Sequence, residues 1–333
     1  MLRIAHIADP HLGFSAYGKR DKVTNINIRE QDFYNAFITA IDKVKELQTD
    51  ILIIAGDLFD SSRPPSRAII LAQMLLSTLN IFVLVIAGNH DNATSVNPSP
   101  LLVLSPFSNI KYVENPEVVT ILEHTFYCVP FREDPFEYKS ADYLVGHVRD
   151  NRILAFKKSK ICLKDSPYKI CMLGDYHIKT VLEPNIFYPG SLERSSFNQL
   201  NSNCGFYFYS DGTAESAEFI TIPTRPFIEL TSPPDDLESL RNAVVRCRLT
   251  NGSDLSWVSE VKKVALHTSI YVEKSPVEKV VQGDLKLEQP KISSLLDQFE
   301  SFCNANRMNY PDDVIDLARS SLKSCIEEAD HAA

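Results

Sequence analysis

Residues able to donate to a metal ion stand at the ends of five short apolar runs. Leu2–Ala8 leads into Asp9 and His11, and Ile51–Ala55 into Asp57 and Asp60. Ile81–Ala87 leads into Asn89, His90 and Asp91, Tyr143–Val145 into His147, and Ile170–Leu173 into Asp175 and His177. Carboxylate, imidazole and amide donors without a thiolate suit Mn²⁺, Mg²⁺, Fe²⁺ or Zn²⁺, and a mixed oxygen and nitrogen set favours Mn²⁺. Asp9, His11, Asp57, Asn89, His147, Asp175 and His177 are too many donors for one ion. They suit two ions that share a carboxylate and lie about 3.5–4 Å apart. Asp57 is the natural bridge, because Gly56 before it lets the backbone approach closely. Taken singly, each residue has a plainer reading: a turn at Asp9-Pro10-His11, a helix cap at Asp57, a polar turn at 89–92, a satisfied core histidine at 147. Their joint placement is what points to a metal centre.

That placement requires strands. A buried strand reads as a short apolar run, and open α/β sheets put ligands just beyond the carboxyl ends of their strands. Between the first two endings, Phe33, Phe37, Ile41 and Val44 repeat at helical spacing within 28–47. Pro64 and Pro65 suit the start of a second helix, and Ala68–Leu79 is apolar nearly all round, as expected of a helix buried on every side. The first 90 residues thus alternate strand and helix, which implies parallel strands. Shorter strands follow at 111–113, 118–122, 125–129, 143–148, 169–173, 186–188, 205–209 and 219–222, enough for a second sheet facing the first.

Near Pro223–Pro226 the composition shifts. Residues 227–231, 244–249 and 267–272 read as strands, and 237–242 and 254–263 as helices, a small α+β unit without metal-type endings. Residues 275–290 are polar, as in a linker. Two helices are expected to close the chain, one through Leu295, Leu296, Phe299 and Phe302, the other through Val314, Leu317, Ala318 and Leu322. Helices of that length need a partner surface in water. The expected domains are 1–224, 225–274 and 275–333.

The 333 residues are 44% hydrophobic and 23% charged, which excludes a disordered chain. No apolar run reaches the roughly 20 residues of a membrane-spanning helix, and His6, Asp9 and His11 interrupt the start as no signal peptide would. Seven scattered cysteines, never spaced C-x-x-C, fit reduced thiols and a cytoplasmic setting. The net charge of −9 argues against gripping nucleic acid by bulk electrostatics. Residues 151–200 nevertheless carry eight Lys and Arg against four Asp and Glu, so a local basic face is open. Arg194 is equally suited to a phosphate or to bracing its loop. Trp257 and the aromatics of 206–209 suit packing better than base stacking.

Asp9-x-His11, Gly56-Asp57-x-x-Asp60, Gly88-Asn89-His90-Asp91, Gly146-His147 and Gly174-x-x-His177 resemble, in order, the motifs of calcineurin-like metallophosphoesterases. Within them, Asp57-Leu58-Phe59-Asp60-Ser61-Ser62-Arg63-Pro64 and the stretch 188–197 are similar to the SbcD-type nucleases, partners of the SbcC ATPase. The resemblance covers about residues 1–225. It implies a four-layer αββα sandwich with a small α+β cap and a helical C-terminal tail. It also implies a two-metal DNA exonuclease and endonuclease of an SbcCD-like repair, recombination and replication complex. One ion would be held by Asp9, His11, Asp57 and His177, the other by Asp57, Asn89, His147 and Asp175. His90 would sit over the scissile phosphate and Asp60 would orient it. Water activated by the metal pair would attack phosphorus in line. The resemblance further implies a homodimer and docking of the closing helices on an SbcC-like coiled coil.

One position departs from the pattern: Asp175 stands where the family usually has histidine. Three carboxylates then face two divalent ions, leaving one net positive charge rather than two. Tighter binding of the second ion and weaker polarisation of substrate are expected. Asp175 also gives limited support to a non-catalytic scaffold. A phosphoesterase acting on a substrate other than DNA would share the same ligands, though 61–64, 188–197 and the extra domain speak against it.

Overall fold

The computed structural model describes residues 1–94, 97–250 and 254–273, with helical positions 315, 316, 319 and 320. The chain divides into two compact units, Met1–Ser275 and Pro276–Ala333. Apart from those four helical positions, the polar stretch 275–290 and the two closing helices lie outside the described residues.

The chain opens with β1 (Ile4–Ile7), α1 (Ile28–Glu46), β2 (Ile51–Ala55), α2 (Ser66–Ser77), β3 (Phe82–Ile86) and β4 (Ile110–Val113). It continues through β5 (Glu117–Ile121), β6 (His124–Val129), β7 (Tyr143–His147), β8 (Ile170–Gly174), β9 (Thr180–Glu183) and β10 (Ile186–Tyr188). After these come β11 (Gly205–Tyr209), β12 (Ala217–Thr221), β13 (Phe227–Leu230), β14 (Val244–Thr250), α3 (Ser256–Val264) and β15 (His267–Glu273).

One sheet runs β12-β11-β1-β2-β3-β4 and a second β5-β6-β7-β8-β10-β9. β1 to β4 pair in parallel, as the helical crossovers require. Residues of the two inner faces interlock, Ile4, Ile53, Leu84 and Ile86 against Phe126, Tyr143, Val145 and Met172. Sheet face and helix face meet in a second core of Tyr34, Phe37, Ala40, Ile41 and Val44 from α1 with Ala68, Ala72 and Leu76 from α2. Asn27 caps α1 by accepting from the N–H groups of Arg29 and Glu30, and Lys43 and Lys45 sit in its last turn.

Three expectations are corrected. α2 is not buried all round: Ile70 and Met74 are 54% and 64% exposed, because the helix lies on the sheet and presents only one face to it. The expected helix at 237–242 is a single 3₁₀ turn at Glu238–Leu240, too short to form an α-helical ladder. Among the described residues, no α-helix covers the outer face of the second sheet. That layer is irregular chain, with Val148, Ile153, Ile161, Leu163 and Tyr168 packed on Leu144, Cys171 and Leu173.

β13, β14 and β15 form a small parallel sheet whose core joins Val245 and Cys247 to Val258 and Val261 of α3. Phe227, Val244 and Leu266 pack with Ile28, Phe197 and Leu200. Arg225 grips Asp32 of α1 through two bonds, and buried Arg29 reaches Asp32 and Glu193. Arg194 bonds Thr224, the Gln199 carbonyl and the Ser202 carbonyl, so it braces its loop. Phe206, Tyr207, Phe208 and Tyr209 are buried packing residues.

Candidate metal centre

The carboxyl ends of β1, β2, β3, β7 and β8 converge on one polar cluster. In-register pairing sets their depth: Ile7 lies beside Ile54, Ala55 beside Ile86, and His147 beside Gly174. The first loops are then clamped to each other, with Asp9 N–H bonded to the Gly56 carbonyl and His11 N–H to that of Asp57.

Asp9, His11, Asp57 and Asp175 have φ of 51°, 46°, 49° and 84°. Left-handed backbone at residues other than glycine costs about 1–2 kcal/mol each and is tolerated best by Asp and Asn. Strain gathered at the ends of three strands is a mark of a functional site. Gly56 and Gly88 are also required by space. A Cβ on Gly56 would lie 2.0 Å from His147 Nδ1, and one on Gly88 would lie 2.0 Å from Asp57 Oδ1. Both glycines make room for the donors themselves.

Asp9, His11, Asp57 and His177 bring one ligand atom each to within 4.8 Å of one another, a set able to hold a metal ion. His11 Nε2 is 3.2 Å from His177 Nε2 and 3.6 Å from Asp57 Oδ2. Around His147 Nε2 a second set gathers: Asn89 Oδ1 at 3.2 Å, Asp57 Oδ2 at 3.6 Å and Asp175 Oδ1 at 3.7 Å. The same oxygen of Asp57 thus faces both sets. The structure brings Asp9, His11, Asp57 and His177 together, and places Asn89, Asp57 and Asp175 around His147. Hard oxygens and imidazoles in cradles only glycine permits fit a pair of divalent ions.

The electrostatics agree with a centre built for cations. Burial works against the charge of Asp57, but His147, His11 and the His90 N–H outweigh it and hold the carboxyl below its usual range. Asp9 is pushed well up by burial, opposed by His147 and reinforced by Asp57 and Asp175. Burial and the charge of His11 lower His177 to about 3, so its ring is a neutral donor although 28% of the side chain stays exposed.

His90 is exposed and lies edge-on to His11, their ring centroids 4.8 Å apart. Its N–H donates to Asp57 Oδ1 at 2.8 Å, and its Nδ1 to the Asp60 carbonyl at 2.7 Å. The Asp60 carboxylate is engaged elsewhere, on His11 Nδ1 at 3.0 Å. Asp60 therefore fixes His90 through its main chain and His11 through its side chain.

Two participants carry no role in the sequence reading. Asp91, fully buried, accepts the Gly88 N–H at 2.6 Å and the Phe59 N–H at 3.4 Å, which pins the turn bearing Asn89 and His90. Burial and the charge of Asp57 push its carboxyl up to about 7. It closes the Gly-Asn-His-Asp run, but nothing in that spacing separates a brace from a ligand. Arg149 forks onto Asp175, Nε to Oδ2 at 2.6 Å and Nη2 to Oδ1 at 3.2 Å. Only its position two residues after His147 hinted at it.

Comparison with known proteins adds relatives to this geometry. Residues 2–216 match the family model described as calcineurin-like phosphoesterase. A DNA double-strand break repair protein Mre11 of Methanocaldococcus jannaschii is 33% identical over 38% of this chain and 34% of its own length. Its namesake in Methanosarcina acetivorans is 27% identical over 82% of this chain and 50% of its own length. That of Thermoplasma acidophilum is 26% identical over 85% and 77% respectively. The chain spans about a third to a half of the first two relatives. With the family model covering well over half of its residues, the chain belongs to the calcineurin-like phosphoesterase family.

Proposed function

We propose that the chain is a two-metal phosphodiesterase acting on DNA, the nuclease subunit of an SbcCD-like complex. The observation that carries this reading is Asp57 Oδ2, 3.6 Å from His11 Nε2 on one side and 3.6 Å from His147 Nε2 on the other. A carboxylate oxygen shared between two donor sets is what a pair of ions needs as a bridge. Asp9, His11, Asp57 and His177 would hold one ion, and Asp57, Asn89, His147 and Asp175 the other, with Mn²⁺ favoured by the mixed donor set. When bound, the pair supplies Lewis acidity toward phosphoryl oxygens and lowers the pKa of water towards neutrality.

The chain's own groups do the rest. With Nδ1–H held by the Asp60 carbonyl, exposed His90 keeps Nε2 to meet the leaving oxygen and give it a proton. Relatives named for DNA double-strand break repair support DNA as the substrate. A homodimer, a cap or DNA-contacting role for residues 225–274 and docking of the closing helices on a coiled-coil ATPase belong to the same proposal. Free Cys128, Cys162, Cys171, Cys204 and Cys247 support a reducing, cytoplasmic setting.

The test is digestion of end-labelled linear DNA in Mn²⁺, with Asp57→Ala alongside to expose contaminating nuclease. Cleavage by the unaltered protein only is expected. Two bound ions per chain without cleavage of any phosphodiester would favour the scaffold reading.

A further inference from the structure

Asp175 brings the centre a third carboxylate beside Asp9 and Asp57, and among the described residues one arginine bonds to those three side chains. The Arg149 guanidinium holds both oxygens of Asp175, and Asp175 Oδ1 still faces His147 Nε2 at 3.7 Å. The planar fork is fixed from its other faces, lying 5.1 Å from the Phe131 ring centroid and 5.7 Å from that of Phe156. Glu133 also approaches at 3.9 Å but is 77% exposed, so water screens it. Arg149 is therefore committed to Asp175. A carboxylate held in this way can give one oxygen to a metal while the guanidinium offsets its charge.

We propose that Arg149 is a charge-balancing residue of the second metal position, a built-in cation that offsets the carboxylate of Asp175. This rests on the two-ion reading above. The pair Asp175 and Arg149 together bring no net charge, as one neutral histidine would. Two divalent ions facing Asp9, Asp57 and the Asp175–Arg149 pair then leave two net positive charges for an incoming phosphodiester. The chain thereby recovers the polarising charge that the aspartate alone would remove. Arg149 is a positioning residue here, acting on the ion through Asp175.

The consequence is a sign. Removing the guanidinium leaves an extra negative charge facing the second ion, so that ion binds more tightly. Calorimetric titration of the full chain with Mn²⁺ alone reads this directly. Arg149→Met is expected to lower the Kd of the second ion by roughly tenfold, and Arg149→Lys to leave it within about threefold. Asp175→His with Arg149 intact should raise the Kd by roughly tenfold, because an unpaired guanidinium then faces a cation. Combining Asp175→His with Arg149→Met should bring it back to within about threefold of the unaltered protein.

Arg149 lines an open surface cleft with Glu133, Phe156 and Lys157, so truncating it leaves no cavity in the core. Unchanged melting temperatures should confirm that the variants fold. A second ion that binds equally or more weakly in Arg149→Met overturns the proposal, as does a double variant that stays displaced. Unaltered protein that binds fewer than two Mn²⁺ overturns the two-ion reading itself, and this one with it.

Discussion

His147 Nδ1 lies 2.8 Å from the carbonyl oxygen of Ala55, a bond from the end of β7 in one sheet to the end of β2 in the other. A carbonyl only accepts, so Nδ1 carries the hydrogen and Nε2 is left facing Asn89, Asp57 and Asp175. The contact joins the sheets at the one level where their strand ends meet. It also fixes the ring in the tautomer a cation requires. Burial alone would strip His147 of charge, but Asp57, then Asp9 and Asp175, outweigh it and raise the ring to about 10.

Mn²⁺ must therefore displace a proton from Nε2. Below about pH 10 the ring holds that proton, so metal and proton compete and affinity rises with pH, by about tenfold per unit for each proton displaced. Titration calorimetry in buffers of different ionisation enthalpy should register proton release near neutral pH. Heats that do not depend on the buffer, with a Kd flat from about pH 6.5 to 8.5, would contradict it.

Asp60 offers a second check on how the donors are held. Its carboxylate fixes the His11 ring through Nδ1 at 3.0 Å and turns Nε2 toward Asp57 and His177. Asp60→Ala should weaken metal binding by about 10- to 100-fold, the usual effect of losing such an orienting partner. Its side chain is 31% exposed, so the melting temperature should change little. Affinity equal to that of the unaltered protein would show that the ring is held by packing instead.

The strand-end candidates were legible because a buried strand leaves a continuous apolar run and open α/β sheets place their sites just beyond it. Asp9, His11, Asp57, Asn89, His147, Asp175 and His177 follow such runs, and the fold brings these side chains near one another. β10 and β11 also match their apolar runs residue for residue. Strand β9, Thr180–Glu183, was not legible, since it is an edge strand without a fully buried residue and shows no alternation. Nor was the exposed side of α2, because Ile70 and Met74 are apolar residues that the fold leaves in water. Arg149 escaped because a fork onto Asp175 joins two loops that no local spacing relates. The division of labour in Asp60 escaped because a main-chain carbonyl has no sequence signature.

Asp91 carries a stability prediction. Its two oxygens satisfy the Gly88 and Phe59 N–H groups in a site closed to water. Asp91→Ala orphans both donors, the shorter bond at full penalty, for a loss of about 2–3 kcal/mol in urea unfolding. Asn89 and His90 ride on the same turn, so metal affinity should fall with stability. Loss of stability with unaltered Mn²⁺ binding would separate the brace from the centre.

His90 tests the chemistry itself. Its ring belongs to neither donor set, so His90→Asn should leave Mn²⁺ stoichiometry and affinity as they are. Nε2 can donate to a leaving oxygen only when the ring is protonated, because Nδ1 is already bound to the Asp60 carbonyl at 2.7 Å. If that donation is its task, kcat on DNA should drop by about 10²- to 10⁴-fold. The deficit should then depend on the leaving group. A nitrophenyl phosphodiester expels a stable anion that needs no proton, and with it the variant should recover most of the lost rate. An equal deficit on both substrates would assign His90 to stabilising charge on the phosphoryl oxygens instead, where the identity of the leaving group makes no difference.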